Sequence, residues 1–298
     1  MDDTRLTRRN AYEIITARIL AALERGTVPW HQPWTNQPPA NLVTKKPYRG
    51  VNVFVLRSTT FASPWWATYR QVQLLGGQVP RGERSCPVCF WKWIDKSGEN
   101  AGRHQPEVDP SHQRIPLLRY YTVFNAEQRR GIARHLPPPR SALLQPIAAA
   151  ERIVAGMPNP PRLQHRSLRA AYHPSLDLVT IPPVADFDDA EAYHSTLFHE
   201  LAHSTGHPTR LNRPTLADAC PFGTTNYSRE ELTAEMAAAF LCGHAGIANH
   251  TFDTSAAYIS NWWSRLSQHR RLLILAASAA QKAADHILGE SVPPPENG

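Results

Sequence analysis

The stretch FHELAHSTGH, residues 198–207, carries His199-Glu200-x-x-His203, a spacing that has a use only on an α-helix. Residues four apart on a helix differ by about 40° in rotation and about 6 Å in rise, so both imidazoles leave one face and can grip one cation. Glu200 projects beside them, placed to take a proton from a metal-bound water. The flanks agree with a helix over 189–206. Asp188 is the expected N-cap with Glu191 three residues on, and Gly206 and Pro208 stop the helix one turn after His203.

A catalytic zinc site with one open position needs a third protein ligand. In the longer pattern HExxHxxGxxH that ligand is a histidine six residues after the second. Here that position holds Thr209, and His207 comes two residues too early. The other route is a carboxylate on a following helix. SREELTAEMAAAFL supplies Glu231, 28 residues after His203, with Glu235 one turn further on the same face. That helix is otherwise largely apolar, so it is expected to be buried, and buried carboxylates need partners. Glu231 is the expected ligand and Glu235 the group that hydrogen-bonds a ligand histidine. His207 is a further candidate beside the site, and with Tyr227 and His244 a candidate to steady an oxyanion. Two imidazoles and a carboxylate favour Zn2+, with Mn2+ or Co2+ able to occupy the same set. The implied chemistry is peptide-bond hydrolysis, with the substrate laid along a strand expected over Leu176–Ile181.

Charge divides the chain. Residues 1–150 hold 21 Lys and Arg against 10 Asp and Glu, a balance of +11; residues 151–298 hold 11 against 15, a balance of −4. Six of the eight tryptophans fall in the first half. A basic, aromatic-rich half beside a mildly acidic one suggests two modules with different partners, the first of them a polyanion. Single-stranded nucleic acid calls for Lys and Arg along its phosphates and rings on its bases. Trp30 and Trp34 lie in a Pro-rich segment, followed by Lys45, Lys46, Tyr48 and Arg49 in a turn flanked by Asn41 and Asn52. These eight are the candidate DNA contacts, while Trp65, Trp66 and Trp91 read at least as well as core. CPVC, residues 86–89, has no second ligand pair at ribbon spacing, and in a strand its cysteines face opposite sides.

The first helix is expected from an Asn10 cap, with Tyr12, Ile15, Ile19 and Leu23 on its buried face. Val51–Leu56 fits a strand or a buried helix. Ser63 and Pro64 look like the start of a helix through WWATYRQVQLLGG. Strands are expected over 86–94 and 117–125, and helices over 147–155, 228–242, 255–267 and 270–288. Pro137, Pro138 and Pro139 mark the boundary, giving domains at 1–136 and 146–298 with a linker at 137–145. No apolar stretch reaches the roughly 18 residues of a membrane span, and MDDTRLTRRN lacks the apolar core of a secretory signal. With only four cysteines, the reducing cytoplasm is the expected compartment.

The sequence resembles the ArdC-type antirestriction proteins of conjugative plasmids. In the second half the similar stretches are TLFHELAHSTGHPTRLNR, FGTTNYSREELTAEMAAAFL, AAYISNWW and AASAAQKAADHIL. In the first they are IITARILAALERGTVPWHQPW, NLVTKKPYRGVNVFVL, WATYRQVQLLGGQVPRGE and LLRYYTVFNAEQ. The resemblance implies an α+β chain: an N-terminal α/β single-stranded-DNA-binding domain followed by a mostly helical zincin-like metallopeptidase domain. It places metal ligation on His199, His203 and Glu231 and acid/base work on Glu200. It also implies protection of incoming plasmid DNA during conjugation, with single-stranded DNA as partner and a protein substrate among host restriction components. A chain that only coats DNA, its zincin fold being structural, is the alternative. Ser204 stands where this family usually has tryptophan.

Overall fold

A computed structural model describes residues 10–31, 37–95, 114–132, 135–137, 145–166, 169–217, 225–249 and 255–290. The opening helix α1 (Ala11–Glu24) is capped as expected, with Asn10 Oδ1 accepting from the Glu13 N–H at 3.0 Å. Val51–Arg57 is a helix, α2, and its buried run Val53–Leu56 is wholly enclosed, which removes any need for strand alternation. The expected helix at Ser63 does not begin there. Trp65–Ala67 is strand β2, and a helix α3 (Tyr69–Leu74) starts at Thr68, whose side chain forms a reciprocal capping box with Gln71. The box satisfies backbone donors that Ser63 and Pro64 cannot reach.

The long hairpin β3 (Cys86–Asp95) and β4 (Arg114–Asn125) pairs antiparallel from Cys86 opposite Val123 to Asp95 opposite Arg114. With β2 and the short β1 (Ala40–Asn41) it forms a sheet of order β1-β2-β4-β3. Cys86 and Cys89 are both buried, and burial pushes their thiols up to about 11 and about 12. Neither joins a metal-ligating cluster among the described residues.

The second half is mostly helical: α4 (Pro146–Gly156), α5 (Ala190–Ser204), the short α6 (Pro214–Ala217), α7 (Thr225–Ala245), α8 (Ala256–Gln268) and α9 (Leu272–Ile287). Beside α5 lies a small sheet of β5 (Arg162–Gln164), β6 (Ala171–His173) and β7 (Leu178–Thr180) in the order β5-β7-β6. The strand expected to receive a substrate is β7. It is central, paired parallel to β5 and antiparallel to β6, so its hydrogen-bonding edges are already taken and strand addition there is excluded.

The largest core crosses between the halves. Ile15, Ile19, Trp30 and Phe54 pack in one cluster with Ala202, Met236, Trp262 and Leu273. Phe54 stacks on Phe240 at 4.9 Å between centroids, and Trp30 meets Trp262 edge-on at 6.3 Å. Polar contacts follow the same seam, from Thr16 Oγ1 to the Arg270 carbonyl (2.9 Å) and from the Gly50 N–H to Gln281 Oε1 (3.0 Å). The expected linker lies almost entirely outside the described residues.

Candidate metal centre

Helix α5 begins one residue later than expected. Asp189, not Asp188, caps it, its Oδ1 accepting from the Ala192 N–H at 2.7 Å. The helix then presents His199 and His203 toward α7. Their Nε2 atoms lie 3.1 Å apart, His199 Nε2 is 3.2 Å from Glu231 Oε1, and His203 Nε2 is 3.8 Å from Glu231 Oε2. Ligands about 2.0–2.1 Å from a tetrahedral ion sit roughly 3.3 Å from one another, so the three side chains fit one divalent cation. They are also the cluster of metal-ligating type found among the described residues.

The electrostatics suit a cation as well. Burial disfavours charge on His199, but Glu231, with Glu200 and Glu235 adding to it, outweighs burial and raises the imidazole to about 9. Burial would raise Glu231, yet the hydrogen bond from His199 and the nearby imidazoles hold it down at about 2. A carboxylate that strongly favours its charged form beside two ring nitrogens is a ready donor set. Glu200 is buried within electrostatic reach of His199, and no hydrogen bond among the described residues engages its carboxylate.

The carboxylate beside the Nδ1 side of His203 is Glu230, not Glu235. Glu230 Oε1 lies 3.3 Å from His203 Nδ1, which holds the proton on Nδ1 and leaves the Nε2 lone pair facing the metal position. Glu230 is itself gripped by Arg213, from Nη2 (2.5 Å) and Nε (3.1 Å), and by Thr215 Oγ1 (2.5 Å). Burial opposes its charge, but these donors win and hold the carboxyl well below the usual range. Two adjacent glutamates are 100° apart around a helix. One therefore meets the Nε2 face of the histidines while its neighbour reaches round to Nδ1.

The turn after α5 supplies Arg213. Its Nη2 also donates to the Ala202 carbonyl (2.8 Å), and the buried Arg210 guanidinium ties the Ser204 carbonyl (2.7 Å) to Asp177. Gly206 sits inside this turn. A Cβ there would lie 2.9 Å from Leu216 Cδ2 and 3.1 Å from Arg213 Nη2, so only glycine lets the chain pass. Ser204, fully buried, returns its hydroxyl to the Leu201 carbonyl at 2.7 Å.

Two domains of known families cover most of the chain. Residues 9–124 match the N-terminal domain of anti-restriction factor ArdC, and residues 148–279 match a zincin-like metallopeptidase. The crystal structure of antirestriction protein ArdC from plasmid R388, solved metal-free and with Mn(II) bound, superposes with a TM-score of 0.71. It is 35% identical, over 94% of this chain and 97% of that one in the metal-free form. This chain belongs to the ArdC family. The protein y4eC of Sinorhizobium fredii is 35% identical over 95% of this chain and 93% of its own length. DNA primase TraC of Escherichia coli is also 35% identical over 93% of this chain, but the match spans only 27% of TraC.

Other expected site residues of this ArdC-family chain have different work. Glu235 is buried and faces the first half. Trp30 Nε1 donates to its Oε2 at 2.8 Å, the Tyr258 hydroxyl donates to the same oxygen, and His31 Nε2 lies 3.9 Å away. His207 bonds Thr209 Oγ1 through Nδ1 (2.8 Å) and is not part of the His199, His203 and Glu231 cluster. His244 is exposed near the end of α7, 13 residues past Glu231 and hence about 20 Å along the helix. The Tyr227 side chain lies outside the described residues.

The DNA candidates divide the same way. Trp30 is 0% exposed and spent on Glu235, so it cannot stack on a base. Trp34 lies outside the described residues. Arg49 forms a two-oxygen ion pair with Asp285 of α9 (2.6 and 2.5 Å), bolting the halves together. Asn52 clamps the Cys89 peptide, its Oδ1 and Nδ2 each 2.8 Å from that residue's N–H and carbonyl. Asn41 Oδ1 caps its own turn, accepting from the N–H groups of Val43 (2.9 Å) and Thr44 (3.0 Å). Lys45 and Lys46 are exposed, with Lys45 Nζ 5.1 Å above the Trp65 ring. Tyr48 is half-buried, its hydroxyl 3.5 Å from Asn41 Nδ2. What the sequence hides for Arg49 and Asn52 is a remote partner: neither spacing nor residue type reveals one more than 30 positions away.

Proposed function

We propose that this chain is a zinc-dependent peptidase carried on a single-stranded-DNA-binding half, protecting incoming plasmid DNA from restriction during conjugation in the recipient cytoplasm. The observation behind the peptidase reading is the convergence of His199, His203 and Glu231 within ligand-to-ligand distance, with Glu200 beside them. His199, His203 and Glu231 would hold the zinc ion, which would supply a Lewis acid and an activated water there. Glu200 accepts a proton at its carboxylate and delivers it to the leaving nitrogen. Glu230 keeps His203 in the metal-binding tautomer, and Arg213 keeps Glu230 in place. A host restriction component is the proposed protein substrate.

The DNA reading is supported by the +11 balance of residues 1–150, the exposed Lys45 and Lys46, and the ArdC N-terminal match. Removing the first half is not a usable test, because that would strip the shared core from α7, α8 and α9. The test is elemental analysis and peptide hydrolysis on intact wild type, His203→Ala and Glu200→Gln, with plasmid establishment scored for each. Metal retained and hydrolysis lost in Glu200→Gln supports the peptidase. Full plasmid protection by that variant would leave DNA coating as the function.

A further inference from the structure

Among the described residues of the basic half, one buried guanidinium has no hydrogen-bond partner. Arg129, just past β4, is 8% exposed, and its Nε, Nη1 and Nη2 are all buried with no hydrogen bond. Native proteins rarely leave a buried charge in this state, because an unpaired buried charge is costly, and a bound anion is one way to meet that cost. Carboxylates are at hand in the chain but are directed elsewhere. Glu127 accepts from the Ser63 N–H at 2.5 Å, and Glu83 accepts from Gln128 Nε2 at 2.8 Å. Burial pushes the guanidinium down only to about 10, so it remains a cation at neutral pH.

The surroundings are those of a phosphate site. Arg129 couples electrostatically to Tyr48, whose hydroxyl also bonds Tyr121 and Asn41. Tyr121 is 37% exposed, and beside it Phe90 packs on its ring at 5.7 Å between centroids. On the same hairpin Arg119 and Tyr120 are exposed, and the exposed Lys45 and Lys46 follow Asn41 in its turn. A buried guanidinium coupled to a pair of tyrosine hydroxyls, on a hairpin that also carries exposed cations and rings, matches a phosphodiester flanked by unstacked bases.

We infer that Arg129, with the Tyr48 and Tyr121 hydroxyls, binds a backbone phosphate of single-stranded nucleic acid running along the exposed face of the β3–β4 hairpin. The inference rests on the DNA-binding reading above and gives it an address different from the Trp30 segment. The phosphate reaches the guanidinium when the Tyr48–Tyr121 hydroxyl pair parts, and both hydroxyls then become donors to it.

The test is fluorescence anisotropy of a labelled oligo-dT at several salt concentrations, with full-length wild type, Arg129→Met and Arg129→Lys, and thermal melts of each without DNA. Arg129→Met is expected to weaken binding about tenfold. It should also reduce the slope of log affinity against log salt by about 0.7, the loss of one phosphate contact. Its melting temperature without DNA should equal or exceed that of wild type, because an uncompensated buried charge has been removed. Arg129→Lys should keep the slope and lose part of the affinity. An unchanged slope in Arg129→Met overturns the assignment, as does collapse of its fold, which would mean the cation serves the protein itself. If wild type fails to bind the single strand, the DNA reading of the whole half falls with it.

Discussion

The surroundings of His203 and of Arg129 treat buried charge in opposite ways. Around His203 the two adjacent glutamates of α7 are answered: Glu231 by the imidazoles, and Glu230 by Arg213, Thr215 and His203 itself. Around Arg129 the cation is enclosed and, among the described residues, left without a hydrogen-bond acceptor. The first arrangement fixes geometry, which a metal centre needs because ligand angles cannot drift. The second stores an unsatisfied interaction, which suits a mobile polyanion that must arrive and leave. A rigid site is therefore built in the acidic half and an adaptable one in the basic half, across a single shared core.

The largest expected effect tests the rigid side. Glu200→Gln should lower peptide hydrolysis by about 10²–10⁴-fold while metal content by elemental analysis stays at the wild-type level. Metal loss in that variant would mean the carboxylate holds the site together rather than moving a proton. Next comes the core the two sides share. Phe54→Ala should cost about 3–5 kcal/mol and still give one cooperative unfolding transition, because its ring packs against Phe240 across the seam. Two separated transitions by calorimetry would show that the halves unfold independently.

A smaller effect sharpens the account of answered charge. Glu230→Gln should weaken metal binding by about 10–100-fold in a competition with a chromogenic chelator, since the amide no longer fixes the His203 tautomer as firmly. Equal affinity would remove Glu230 from the site.

The smallest effect is a pH dependence at the seam. Burial raises the Glu235 carboxyl from 4.5 to about 8. The folded chain thus holds a proton that the unfolded chain releases between those values. This contribution to stability is complete below pH 4.5 and is lost as pH rises through 8. Glu235→Gln still accepts from Trp30 and Tyr258 but has no proton to lose. Melting temperatures of metal-free protein from pH 4.5 to 8.5 should therefore fall less steeply in Glu235→Gln than in wild type. Parallel curves would show that Glu235 does not titrate in this range.

Much of the metal centre was legible because helix geometry is local. Four-residue spacing put His199 and His203 on one face, and the apolar composition of α7 announced the burial of Glu230 and Glu235. The choice between Glu230 and Glu235 as the histidine's partner was not legible. It depends on the rotation of α7 against α5, which the packing of the whole bundle sets. Three of the DNA candidates have other partners for a related reason. Trp30, Arg49 and Asn52 have the residue types of a binding loop, but Glu235, Asp285 and the Cys89 peptide claim them from positions 37 to 236 residues away. The helix at Ser63 failed because a Ser-Pro pair and a Thr-x-x-Gln box compete locally, and the strand at Trp65–Ala67 settles the competition through its pairing with β4.

The sequence alone determined most of the helices, the two long strands, the shared face of His199 and His203 and the division of charge, since each follows from interactions among residues near one another in the chain. Only the tertiary structure decided which side chains have partners. It fused two compositionally distinct halves through Trp30, Phe54 and Trp262, gave His203 its carboxylate, and left Arg129 with none. Whether a buried charge is answered is a question of distance in space, and distance in space between remote residues is what a linear order of amino acids does not state.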